Sequence, residues 1–171
     1  MRLAVTALPV IALLAAGALA AQSGPIVSSG KGIYTQAKDA VLKSAEKVPE
    51  DLYSWQPTPK VRTFGQLFAH EADGQYEFCS AVTGKPVNKN IEQSVKTKAG
   101  IVAALKEAFA YCDAAFAGMS EADAVTTVKL FGQSMTKIGV MDFNTSHTQE
   151  HYGNLVTYMR LKDIVPPTSQ K

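Results

Sequence analysis

The stretch from Val140 to Leu161 most narrows what this chain can fold into. At 100° per residue, Val140, Asn144, His147, His151, Asn154, Leu155, Tyr158 and Leu161 share one stripe. Asp142, Ser146, Gln149, Gly153 and Arg160 lie opposite. Such a period is that of a helix, and one face of it must be buried against other elements. The inward stripe is polar at its centre, where His147 and His151 sit one turn apart. Side chains at i and i+4 can converge on one point, as a shared metal ion requires. The same pair would also serve as hydrogen-bonded core histidines, with Asn144 and Asn154 as polar neighbours.

Three more helical segments precede it. Ile33, Ala37, Ala40, Val41, Ser44 and Val48 repeat at helical spacing after a loose Gly/Ser/Pro lead from Gln22 to Gly32, and Pro49 ends that helix. A proline-stiffened loop follows, holding Trp55, Pro57 and Pro59. The Thr63-Phe-Gly-Gln66 capping box opens the second helix, on which Phe64, Leu67, Phe68, Glu71 and Phe78 form an apolar sector. Gly84 and Pro86 close it, and His70 lies on its flank beside Gln66, Asp73 and Glu77. Glu71 is a carboxylate inside that sector; it either orients a neighbouring group or reaches out to solvent. The third helix runs from about Ser94 to Met119 and buries Ile101, Leu105, Ala108, Phe109, Cys112 and Phe116, with Gly118 near its C-cap. From Ser120 to Gly139 the helical period fails, and Val125 to Gly132 favours extended structure. A connection of that length is either a lid or binding loop, or a short hairpin over one bundle end. The last helix ends near Lys162. Four helices and no convincing sheet predict an all-α four-helix bundle.

Residues 1–20 read as a signal peptide. Arg2 starts a positive n-region, Ala7 to Gly17 is apolar but short for a bilayer span, and Ala18-Leu-Ala20 is a small-x-small cleavage signature. The expected location is therefore exported, periplasmic or secreted, with residues 21–171 as one bundle domain and no membrane segment after cleavage. The net charge is +2 with no basic stripe, so nucleic acid leaves no footprint. The chain's two cysteines, Cys79 and Cys112, could pair in an oxidising compartment. Antiparallel neighbouring helices would hold the sulfurs about 20 Å apart; parallel helices could place them at one height.

All three histidines of the chain lie on two helices that a bundle can bring together. Three neutral imidazoles with an open position are the donor set of a catalytic zinc site, and nickel, iron or manganese would also accept them. Asn144, Asn154, Glu150 and Asp73 are near enough in sequence to orient the rings.

Arg62-Thr-Phe-Gly-Gln-Leu-Phe-Ala-His70 and His147-Thr-Gln-Glu-His151-Tyr-Gly-Asn-Leu resemble, in order and spacing, the motifs of the DinB/YfiT-like superfamily of small four-helix-bundle metalloproteins. The resemblance covers about Gly32 to Pro166. It implies that His70, His147 and His151 are the metal ligands, with water completing the shell around a divalent transition metal, zinc or nickel foremost. It also implies a variant topology in which the second and third helices can run parallel, keeping a Cys79–Cys112 bridge open. Well-understood relatives are transferases and isomerases using a low-molecular-weight thiol, a co-substrate that an exported protein would seldom meet. Three readings follow. The first is a metal-dependent enzyme activating water or a thiol, with Glu71, Asp73 and Glu150 as candidate bases and Ser120 to Gly139 shaping a small-molecule pocket. The second is a non-catalytic metal or small-ligand binding protein of the cell envelope. The third is a bundle with structural histidines and a homodimer interface.

Overall fold

In the computed structural model, the described residues are 24–169, and the proposed signal segment at 1–20 lies outside them. Four long helices form the molecule: α1 (Pro25–Lys47), α2 (Phe64–Thr83), α4 (Lys98–Ala117) and α6 (Lys137–Leu161). Two single turns, α3 (Ile91–Ser94) and α5 (Glu121–Ala124), and an antiparallel hairpin of β1 (Thr127–Leu130) and β2 (Gln133–Thr136) fill the links. The expected all-α four-helix bundle is the observed fold. The long connection before α6 is the hairpin, turned tightly at Phe131 and Gly132, whose φ values are 49° and 78°. No helix among the described residues is long and apolar enough to cross a membrane.

Side-chain pairings give the helix directions. Phe64 at the start of α2 meets Tyr158 near the end of α6, and Phe78 meets Phe143 near its start, so α2 and α6 are antiparallel. Lys38 pairs with Asp113 at 3.0 Å and Glu46 with Lys106 at 2.6 Å, so α1 and α4 are antiparallel as well. In contrast, Gly65 lies against Ile101 and Cys79 against Cys112: start meets start and end meets end, and α2 runs parallel to α4. Two parallel neighbours need a return path. The chain between them runs back along α2, held by Val87 N donating to Ser80 Oγ and by Ile91 N and Glu92 N donating to the Asp73 carboxylate. Parallel packing brings the Cys79 and Cys112 Cα atoms to 5.4 Å, and the two residues form a disulfide.

The core is aromatic and aliphatic, with Tyr34, Phe64, Phe68, Leu105, Phe109, Phe116, Met141, Leu155 and Met159 all but sealed from solvent. Burying each such side chain contributes roughly 1.5–3 kcal/mol.

Sequence expectations for three helices need correcting. Helix α1 starts at Pro25, so the segment taken as a loose lead is helical. Its first turn is stabilised from outside, by Glu121 Oε1 accepting from Val27 N at 2.9 Å. The buried residue of that turn of the stripe is Tyr34, whose hydroxyl donates to Phe109 O, while Ile33 is 53% exposed. Helix α4 begins at Lys98, because Val95 to Thr97 break from the single turn α3 and Thr97 caps the new helix by accepting from Gly100 N. On α6, Asn154 and Leu161 are exposed, while Met141, Thr145 and Thr148 are buried, since the helix packs against both α1 and α2 and its hidden face is wider than one stripe.

Candidate metal centre

Two local devices aim the histidines. The Thr63–Gln66 capping box forms in full and fixes where α2 begins, which sets the rotation of His70 two turns later. On α6, the i, i+4 spacing puts His147 and His151 on one face. Antiparallel packing of α2 and α6 then closes the group. His147 Nε2 lies 3.2 Å from His70 Nε2 and 3.2 Å from His151 Nε2, and one ring nitrogen from each residue falls within 4.8 Å of the others. Two imidazoles on one tetrahedral zinc ion have nitrogens about 3.3 Å apart, given bonds of about 2.0–2.1 Å.

The other ring nitrogens face outward partners. His70 Nδ1 lies 3.5 Å from Glu92 Oε2, His147 Nδ1 lies 3.2 Å from Glu71 Oε1, and His151 Nδ1 lies 3.5 Å from the amide nitrogen, Nδ2, of Asn154. A set of Nε2 atoms gathered inward with carboxylates behind Nδ1, as at His70 and His147, is how ligating histidines are oriented. Close approach also needs a gap in α2. A Cβ on Gly74 would lie 2.9 Å from Cε1 of His147, so the imidazole occupies the space a side chain there would fill.

Burial pushes the imidazoles of His70 and His151 below their ordinary pKa. At His70 the Arg62 guanidinium and the His147 ring act in the same direction, and at His151 burial outweighs the nearby Glu71 carboxylate. Both shifts favour the neutral form, the one with a lone pair for a cation. Glu71 is wholly buried, and neither of its oxygens has a hydrogen-bond partner among the described residues. Although Glu71 Oε1 lies 3.2 Å from His147 Nδ1, the two form no hydrogen bond, and this Nδ1 is likewise unpartnered. An orphaned buried acid beside three converging imidazole nitrogens is the surrounding that a cation would complete. The donor set fits a divalent transition metal.

His151 also lines a cleft of about 700 Å³, whose wall includes Arg62, Gln66, Glu92, Glu150 and Asn154. Arg62 Nε donates to Glu92 Oε1 at 2.9 Å, and Tyr158 donates its hydroxyl proton to Arg62 O. On the opposite side, the Phe78 ring packs on His147 and carries Phe143 and Phe131 beyond it. Among the described residues, no fourth His, Cys, Asp or Glu joins the three-histidine group.

Other expectations for the site divide. His70, His147 and His151 are brought together. Glu71 does not reach solvent but stands behind His147. Asp73 is not at the site, because both its oxygens cap α3. Asn144 is also drawn away: it donates to Gln75 Oε1, and Gln75 donates to Thr148 Oγ1 in a buried network beside the disulfide. Glu150 lies on the cleft wall and Asn154 behind His151. The segment from Ser120 to Gly139 does not line this cleft; the loop from Gln56 to Arg62 and the first turn of α2 do. Sequence reading missed Glu92, Arg62 and Gly74. Glu92 reaches the site only through the return path along α2, which has no local signature, whereas a glycine at i+4 from His70 on the same face was a visible signal.

A family model described as the DinB superfamily matches residues 33–155, a span holding all three histidines. Among solved structures, the chain is similar to a DinB-like protein from Bacillus cereus ATCC 10987, with a TM-score of 0.73 and 17% identity over 82% of this chain and 95% of that one. It is also similar to a DinB-like protein from Bacillus subtilis, with a TM-score of 0.68 and 20% identity over 86% of this chain and 99% of that one. No curated protein matches it.

Proposed function

The chain belongs to the DinB superfamily, and from that premise we propose that it is an exported protein that binds a divalent transition metal through His70, His147 and His151 and uses it to activate water or a thiol. The observation that carries this reading is the convergence of three Nε2 atoms on one point beside the unpartnered Glu71. Zinc and nickel suit three imidazoles best, with iron and manganese as further candidates. When bound, the ion would polarise a small oxygen or sulfur donor and ease its deprotonation.

The chain's own residues do the rest. Two carboxylates back the rings, with Glu92 facing Nδ1 of His70 and Glu71 facing Nδ1 of His147. The cleft beside His151 receives the substrate, where the outer nitrogens of Arg62 can meet an acidic or carbonyl oxygen. Of the carboxylates considered as bases, Asp73 is engaged as a cap and Glu71 is sealed inside the bundle. Glu150, on the cleft wall, is then the candidate to take a proton. A cleft against an open donor set favours turnover over storage, since a purely structural site is closed by four ligands. Export is supported by the leader-like segment at 1–20 and by the Cys79–Cys112 disulfide, a bond that persists in oxidising compartments.

The test is elemental mass spectrometry on wild type and His147→Ala, both expressed with residues 1–20. About one equivalent of a single transition metal in wild type, lost in the variant, is expected. No metal in either, with an unchanged unfolding temperature after zinc or nickel is added, would overturn the reading.

A further inference from the structure

Three side chains stand behind the histidines, and they are not equivalent. Glu92 is shared between His70 and Arg62, so its charge is already answered by a guanidinium. Asn154 carries no charge and is exposed. Glu71 is at 0% exposure, has no hydrogen-bond donor on either oxygen, and points at His147 Nδ1 from 3.2 Å. Charge interactions strengthen as solvent is removed, so of the three its field on the site is the least screened.

We infer that Glu71 is a positioning residue for the metal: it accepts a hydrogen bond from Nδ1–H of His147, which fixes the tautomer that presents Nε2 to the ion, and balances part of the cation's charge, at the expense of the metal-free fold. This rests on the metal reading above. The geometry requires little movement. A small turn of the imidazole would align Nδ1–H on Oε1, which is already 3.2 Å from Nδ1. Without a cation, the same acid is a buried group lacking the partners that would repay its desolvation. One side chain therefore has two opposed effects, destabilising the empty bundle and tightening the loaded one. A residue kept for packing alone would have only one.

The experiment titrates cobalt(II) into metal-free wild type, Glu71→Gln and Glu71→Leu, following cobalt absorption, and measures unfolding temperature without metal. Expected are a cobalt affinity lower by roughly 10–100-fold in both variants, an altered cobalt spectrum, and metal-free unfolding temperatures equal to or above wild type. Wild-type affinity in both variants would overturn the inference and leave the three-histidine reading standing. Lower metal-free unfolding temperatures in both would make Glu71 a structural residue and also overturn it. Failure of wild type to bind cobalt would remove both readings together.

Discussion

At Gly74 the imidazole of His147 stands where a side chain would otherwise be. A Cβ added there would meet Cε1 at 2.9 Å and Nδ1 at 3.3 Å. Mid-helix glycine costs about 1 kcal/mol against alanine, so its presence in α2 is a concession to the neighbouring ring. Gly74→Ala should therefore leave metal-free stability near wild type, helix propensity offsetting the contact, while metal affinity falls by about as much as losing an outer partner, roughly 10–100-fold. Isothermal titration with zinc would read the loss, and an undiminished affinity would mean that the ring position is not what gathers the nitrogens. At this scale, the histidines were legible because their spacing carries a helical period. The state of Glu71 was not, since a carboxylate on an apolar sector reads alike whether it meets an imidazole or water.

Helix α1 shows how an element can be decided from outside itself. Pro25 suits the first helical position, but two serines and two glycines, Ser28, Ser29, Gly30 and Gly32, make the turns that follow poor helix material. Glu121, on the far side of the sequence, supplies the acceptor that the first amides need: Val27 N donates to Oε1 at 2.9 Å and Ile26 N to Oε2 at 3.4 Å. A carboxylate at a helix N-terminus also complements its dipole. Glu121→Ala should weaken that turn by about 1 kcal/mol, seen as faster hydrogen exchange at the following amides, with Glu121→Gln retaining most of the protection. Unchanged exchange in the alanine variant would show that packing of Val27 and Tyr34 alone holds the turn. The second helix needed no such help, because its Thr63–Gln66 cap is local and could be read directly.

Across the whole molecule, the parallel run of α2 and α4 is the choice on which the rest depends. It brings Cys79 to Cys112, closing a loop of sequence separation 33, and it leaves α2 free to face α6 across the histidines. Replacing both cysteines by serine should cost roughly 2–4 kcal/mol, lowering the metal-free unfolding temperature by about 5–15 °C for a domain of this size. Calorimetry would test this, and an unchanged temperature would show that the bundle has no need of the cross-link. The pair also shows where reading along the chain stops. Periodicity, caps and breakers are local properties, so the four helices, the extended link before α6 and the histidines' faces could be taken from residue order alone. Helix direction cannot, because either orientation buries the same stripes. It is settled by which side chains meet: Gly65 under Ile101, Asp73 capping the return path, and Glu121 reaching α1. The convergence of His70 with His147 and His151, the sealing of Glu71 and the cleft beside Arg62 follow from those meetings, which exist only once distant segments are packed against one another.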